Sequence, residues 1–180
     1  MLELLIKGNE LYDENTNKFI TTPDCKLTLE HSLISVAKWE AKWKIPYFQA
    51  TERTREQDMD YIKCMVIGPV PDDQIIASMG FDDMMQIRGY IEDPMTATVF
   101  NEKRKNASKK RIMTAEVIYS RMFANSIPLD CQKWHLNRLL SLIRVCELNN
   151  SPPEKMSKKD TAAWNAEQNA IRRAKYNTKG

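Results

Sequence analysis

The chain has 180 residues, 42% hydrophobic and 28% charged, which is one domain's worth of protein with a real core and argues against disorder as its main state. With only 5 glycines and 2 histidines there is little material for glycine-cradled phosphate sites, histidine metal centres or a choice of imidazole bases, which sets most familiar enzyme classes aside. The formal net charge of +3 hides a polarity along the chain, acidic at the front and basic at the back.

No apolar run approaches the roughly 20 residues that span a bilayer. Met1 leads straight into Glu3 and Lys7 without a signal-like hydrophobic stretch. The reading is a cytosolic protein without a membrane segment. Cys25, Cys64, Cys131 and Cys146 are scattered, with no pair two residues apart, as free and mostly buried thiols in a reducing compartment would be.

Leu2, Leu4 and Ile6 alternate with polar or outward positions, the period of a half-buried strand. Asp13 to Asn17 can turn the chain, Phe19 to Thr22 is β-prone, and Lys26 to Leu29 resumes the alternation. Residues 2–29 therefore read as an antiparallel meander of two or three strands that needs a helix to cover its apolar face. From Glu30 the period becomes helical. Leu29, Leu33, Val36, Ala37 and Trp43 share a broad face, Glu40 is placed to pair with Lys44 one turn on, and Pro46 ends the helix.

Thr54 and Gln57 form a capping box that opens a second helix, carrying Met59, Ile62, Met65 and Val66 and stopped by Gly68 to Pro71. A short helix over 72–79, with a strand at Ile75-Ile76 as the alternative, and another helix from an Asp82 N-cap to Ile91 follow. Met59, Met65, Met79, Met84, Met85 and Met95 fall in this stretch, as core packing or as an adaptable groove. After Asp93-Pro94, the run 101–111 reads as an exposed basic loop. Helices over 112–125 and 130–148, joined through Ile127-Pro128, are expected to pack as an antiparallel pair. Beyond Pro152-Pro153 a capping box at Ser157 opens a basic helix running to about Lys175, whose alanine-rich stripe gains bulk only from Trp164 and Ile171.

The most site-like arrangement lies in the 130–148 stretch. On one helix, Cys131 and His135 stand one turn apart and can share a metal, but Cys146 lies roughly 16 Å further along and cannot join them. The same arc holds Leu136, Leu139, Leu142 and Ile143, so a buried structural histidine between thiols outweighs both a metal site and a Cys-His nucleophile. Serine hydrolase, Walker, dinucleotide and helical two-histidine zinc signatures are absent.

Leu29 to Leu33, Lys38 to Trp43, Asp60 to Met65, Tyr90 to Asn101 and Cys131 to Cys146 together resemble a group of small tailed-bacteriophage proteins from the tail-gene region. That resemblance implies a phage tail assembly chaperone. It would bind the tape measure protein, and the tail-tube protein as a further candidate, keeping the former soluble in the host cytoplasm while the tube assembles. A structural component of the virion's tail or neck and a nucleic-acid-binding accessory protein are the alternatives, with nucleic acid the less favoured partner and a homo-oligomer an open question. The blocks carry no catalytic meaning, and no enzyme activity, cofactor or metal is expected.

The expected architecture is α+β and mostly α-helical: one domain over 1–150, with a β-meander over 1–29 and a helical body over 30–150, then a basic helical arm over 151–180. Candidate partner-binding residues are Trp39, Trp43, Trp134 and Trp164, the cluster Lys103, Arg104, Lys105, Lys109, Lys110 and Arg111, and Arg172 with Arg173.

Overall fold

A computed structural model describes residues 1–8, 10–13, 17–100, 112–151 and 158–177. The fold is α+β and mostly helical. The strands are β1 (Leu2–Ile6), β2 (Glu10–Asp13), β3 (Lys18–Thr21) and β4 (Cys25–Leu29). They form two separate two-stranded pairs rather than one meander, and only β2 with β3 joins successive strands among those described. β1 is antiparallel to β4, with Leu2 opposite Leu29 and Ile6 opposite Cys25, and β2 is antiparallel to β3. Leu4, Ile6, Leu27 and Leu29 all face the core, as strict alternation demands. Gly8 sits where the pairs meet: its N–H donates to Asp24 Oδ1 at 2.6 Å, and a Cβ there would collide with the Thr22 carbonyl.

The helices are α1 (Leu33–Trp43), α2 (Arg55–Met65), α3 (Asp73–Ala77), α4 (Phe81–Glu92), α5 (Ala115–Ala124), α6 (Leu136–Asn150) and α7 (Lys158–Tyr176), with a 3-10 turn at Leu129–Lys133. The Thr54 capping box is present, Gln57 N–H to Thr54 Oγ1 at 3.2 Å and Thr54 N–H to Gln57 Oε1 at 2.9 Å. A second box unites Ser32 and Ser35 at the start of α1. The cap of α4 is Gly80 rather than Asp82, because the Asp83 carboxylate reaches back to accept the Gly80 N–H at 2.9 Å. Beyond α2, Ile67 N–H donates to Thr28 O and Glu30 N–H to Met65 O, so the end of α2 covers β4.

The expected continuous helix over 130–148 is broken. Trp134 is extended, His135 bridges to Ser32, and Leu136 N–H donates to the His31 carbonyl at 2.7 Å. Residues 134–135 give their backbone to the β4–α1 junction, which outcompetes helix. The link between α5 and α6 also departs from a simple hairpin: Arg121, in the last turn of α5, pairs with Glu147 near the far end of α6.

The expected half-exposed Glu40–Lys44 pair at the rim of the core is not formed. Glu40 is buried, and its carboxylate accepts from Tyr47 N–H and Ala115 N–H, each at 2.7 Å. Lys44 instead takes a left-handed conformation that closes α1. Glu40 thus ties the last turn of α1 to the loop after it and to the first residue of α5, where the helix dipole favours a carboxylate.

The chain divides into two compact units, Met1–Glu147 and Leu148–Gly180. The core of the first is built from Leu29, Leu33, Val36, Trp39, Met65, Ile76, Ile118, Met122, Leu136, Leu139 and Ile143, all essentially inaccessible. In the second, α7 exposes Trp164, Ile171 and Tyr176.

Candidate docking cleft

The sequence-nominated residues do not gather into one site. Trp39 is wholly enclosed and donates its indole N–H to Gln57 O at 2.9 Å, so it is core rather than binding surface. Trp43 is half-buried beside Lys42, and Trp134 is half-buried under the Arg138 guanidinium at 4.4 Å. Among the described residues, Trp39, Trp43 and Trp134 do not stack on one another. Trp164, Arg172 and Arg173 are exposed on α7. Lys103, Arg104, Lys105, Lys109, Lys110 and Arg111 lie outside the described residues, as does Ser157.

What the fold does assemble is a polar knot beneath a cleft. Both histidines of the chain meet in the core, their rings edge to face with centroids 5.1 Å apart. Tyr61 O–H lies 2.5 Å from His31 Nδ1. His135 Nε2 lies 3.0 Å from the Tyr90 carbonyl. A carbonyl only accepts, so Nε2 carries the proton; His135 Nδ1 is then bare, buried and without a partner. Tyr90 O–H donates to Glu30 Oε1 at 2.6 Å, and the other Glu30 oxygen pairs with the Met1 amine at 3.1 Å.

Burial dominates the electrostatics. It pushes His31 down to about 3, with the cationic forms of His135 and Arg53 adding to the shift, and it lowers His135 against the opposing pull of its bond to Tyr90. Burial also raises Tyr61 and Tyr47, and it raises Tyr90 with help from the Glu30 carboxylate. Both imidazoles are therefore neutral at pH 7 and serve as packing and hydrogen-bonding groups.

Above this knot opens a cleft of about 630 Å³ between the 47–53 loop with the first turns of α2 and one side of α4. Tyr47, Tyr61, Ile62 and Ile87 form its floor, with Met84, Met85 and Ile91 as one wall. The rings of Tyr47 and Tyr61 lie 4.4 Å apart. The Arg53 guanidinium lies 3.9 Å over the Tyr47 ring, and its Nη2 donates to Tyr47 O at 2.9 Å. Met84, Ile87 and Ile91 recur at three and four residues, so one edge of α4 supplies Ile87 to the floor and Met84 and Ile91 to the wall. Sequence reasoning marked the methionines, read Tyr47 only as a hydrophobic anchor and Tyr61 only as a helix flank, and passed over Arg53 and Asp58, because no period groups these four as a site.

Among the described residues no three His, Cys, Asp or Glu side chains gather to hold a metal ion, and no described helix is long and apolar enough to cross a membrane. The fold and cleft define a small α+β domain presenting a cleft with an aromatic and aliphatic floor, a methionine wall and a charged rim. Comparison with protein families, with curated proteins and with solved structures finds no match to this chain.

Proposed function

We propose that this protein is a tail assembly chaperone of a tailed bacteriophage, binding the tape measure protein and keeping it soluble while the tail tube assembles around it. The cleft carries the reading. Its floor of aromatic and aliphatic side chains with a wall of Met84 and Met85 is the kind of surface that accepts the apolar stripe of an amphipathic helix. A tape measure protein, long and helical, offers many such stripes. The resemblance of the Leu29–Leu33, Asp60–Met65, Tyr90–Asn101 and Cys131–Cys146 blocks to phage tail-region proteins supplies the partner's identity. Binding rather than catalysis is the role proposed, with the knot of Tyr61, His31, His135 and Tyr90 as scaffolding.

Co-expression tests it. A tape measure protein co-expressed with this chain should shift into the soluble fraction and co-elute with it. An unchanged soluble fraction would overturn the reading.

A further inference from the structure

We propose that the cleft selects a partner helix whose apolar stripe is edged by lysine or arginine, the basic edge lying against Glu52 and Asp58. This rests on the docking reading above and names the chemistry of the helix that docks.

The length of the groove sets the first requirement. Met84 to Ile91 spans two turns of α4, about 10 Å along its axis. That length meets apolar residues at i, i+3 or i+4, and i+7 on a ligand helix. Phe81 and Met85, one turn apart, continue the apolar surface outward; Phe81 is 78% exposed and Met85 49%.

Charge sets the second requirement. Arg88 and Glu92, on the α4 side, neutralise each other at 2.9 Å. The Arg53 guanidinium lies 3.9 Å over the Tyr47 ring, donates Nη2 to the Tyr47 carbonyl and keeps its positive charge. Glu52 and Asp58 remain on the facing side, and among the described residues neither carboxylate has an ion-pair or hydrogen-bond partner. The helix dipole of α2 favours an acid at Asp58, in its first turn, but gives Glu52 no such role. The two carboxylates outnumber the single Arg53 cation on that side, so this edge of the cleft is net acidic, which favours a cationic neighbour and disfavours an acidic one.

Two labelled synthetic peptides with the same leucine stripe, one edged by lysine and one by glutamate, test this by fluorescence anisotropy with the full chain. The lysine peptide should bind about tenfold tighter. Glu52→Lys with Asp58→Lys should abolish or reverse that preference, and the milder Glu52→Gln with Asp58→Asn should reduce it; far-UV circular dichroism confirms that each variant folds. Met85→Asn should weaken both peptides alike. Equal binding of the two peptides, no binding of either, or a preference that survives the lysine double variant would overturn the proposal. Were the tape measure protein solubilised while the peptides bound equally, the charge rule alone would fall. The converse result would remove the chaperone role and leave the cleft's selectivity standing.

Discussion

Glu40 is the residue whose removal the structure prices most directly. Its two carboxylate oxygens accept one backbone N–H each, from Tyr47 and Ala115, at 2.7 Å in a buried setting. Glu40→Ala strands both donors, at about 1–3 kcal/mol each, and recovers part of the cost of having desolvated a carboxylate. The net loss should be about 3 kcal/mol. Glu40→Gln keeps the volume, yet its single carbonyl satisfies one donor while its amide NH₂ confronts the other, so the expected loss is about 2 kcal/mol. Urea unfolding followed by tryptophan fluorescence measures both, with an unchanged slope showing that stability alone has moved. Native-state hydrogen exchange adds a local reading: the Tyr47 and Ala115 amides should lose protection beyond the global change. If both variants fall within about 0.5 kcal/mol of wild type, the range of an ordinary surface substitution, the carboxylate does not tie α1 to α5.

Acid should destabilise the fold through its histidines. His31 titrates near 6.5 when unfolded and is held down to about 3 when folded, so its contribution is fully present above pH 6.5 and is lost as pH falls toward 3. Between pH 7 and pH 5 that loss is about 2 kcal/mol, with His135 adding in the same direction. Urea titrations at the two pH values check it, and a flat or rising stability would contradict the buried neutral pair. The Arg121–Glu147 pair makes two parallel contacts of 2.7 Å with both side chains about 30% exposed, so a double-mutant cycle with alanine should give a coupling of about 1 kcal/mol.

The legible parts of this fold are those decided within a few residues. Thr54 and Gln57 cap α2 through bonds spanning three positions, and the alternation in β1 and β4 placed Leu4, Ile6, Leu27 and Leu29 on the core side. Pairing was not legible, because alternation fixes a face and not a neighbour; hence the β1–β4 ladder enclosing β2 and β3. The break before α6 is made by His31 and Ser32, far away in sequence, so a helical period running through Trp134 gave no warning. Glu40 shows the same limit: Lys44 at i+4 was the only partner local reasoning could offer, whereas the Ala115 donor lies 75 residues away. The cleft was half visible, its Met84 and Met85 wall marked by composition and its Tyr47, Arg53 and Asp58 side by nothing local.

Tyr61 joins the cleft to the buried knot, and that decides which side of the cleft yields to a partner. Its ring lines the floor beside Tyr47, while its hydroxyl is bonded to His31 in the core. Tyr47 is fixed as firmly, its N–H held by Glu40 and its carbonyl by Arg53. Moving the Tyr61 ring breaks its buried bond to His31, and shifting the Tyr47 backbone breaks the bonds to Glu40 and Arg53, at about 1–3 kcal/mol each, a cost that would come straight out of binding. Met84 and Met85 carry no such tether among the described residues, and an unbranched thioether repacks at little cost. A rigid aromatic floor facing a compliant methionine wall can therefore accept stripes built of different aliphatic side chains, while Glu52 and Asp58 restrict which charges flank them.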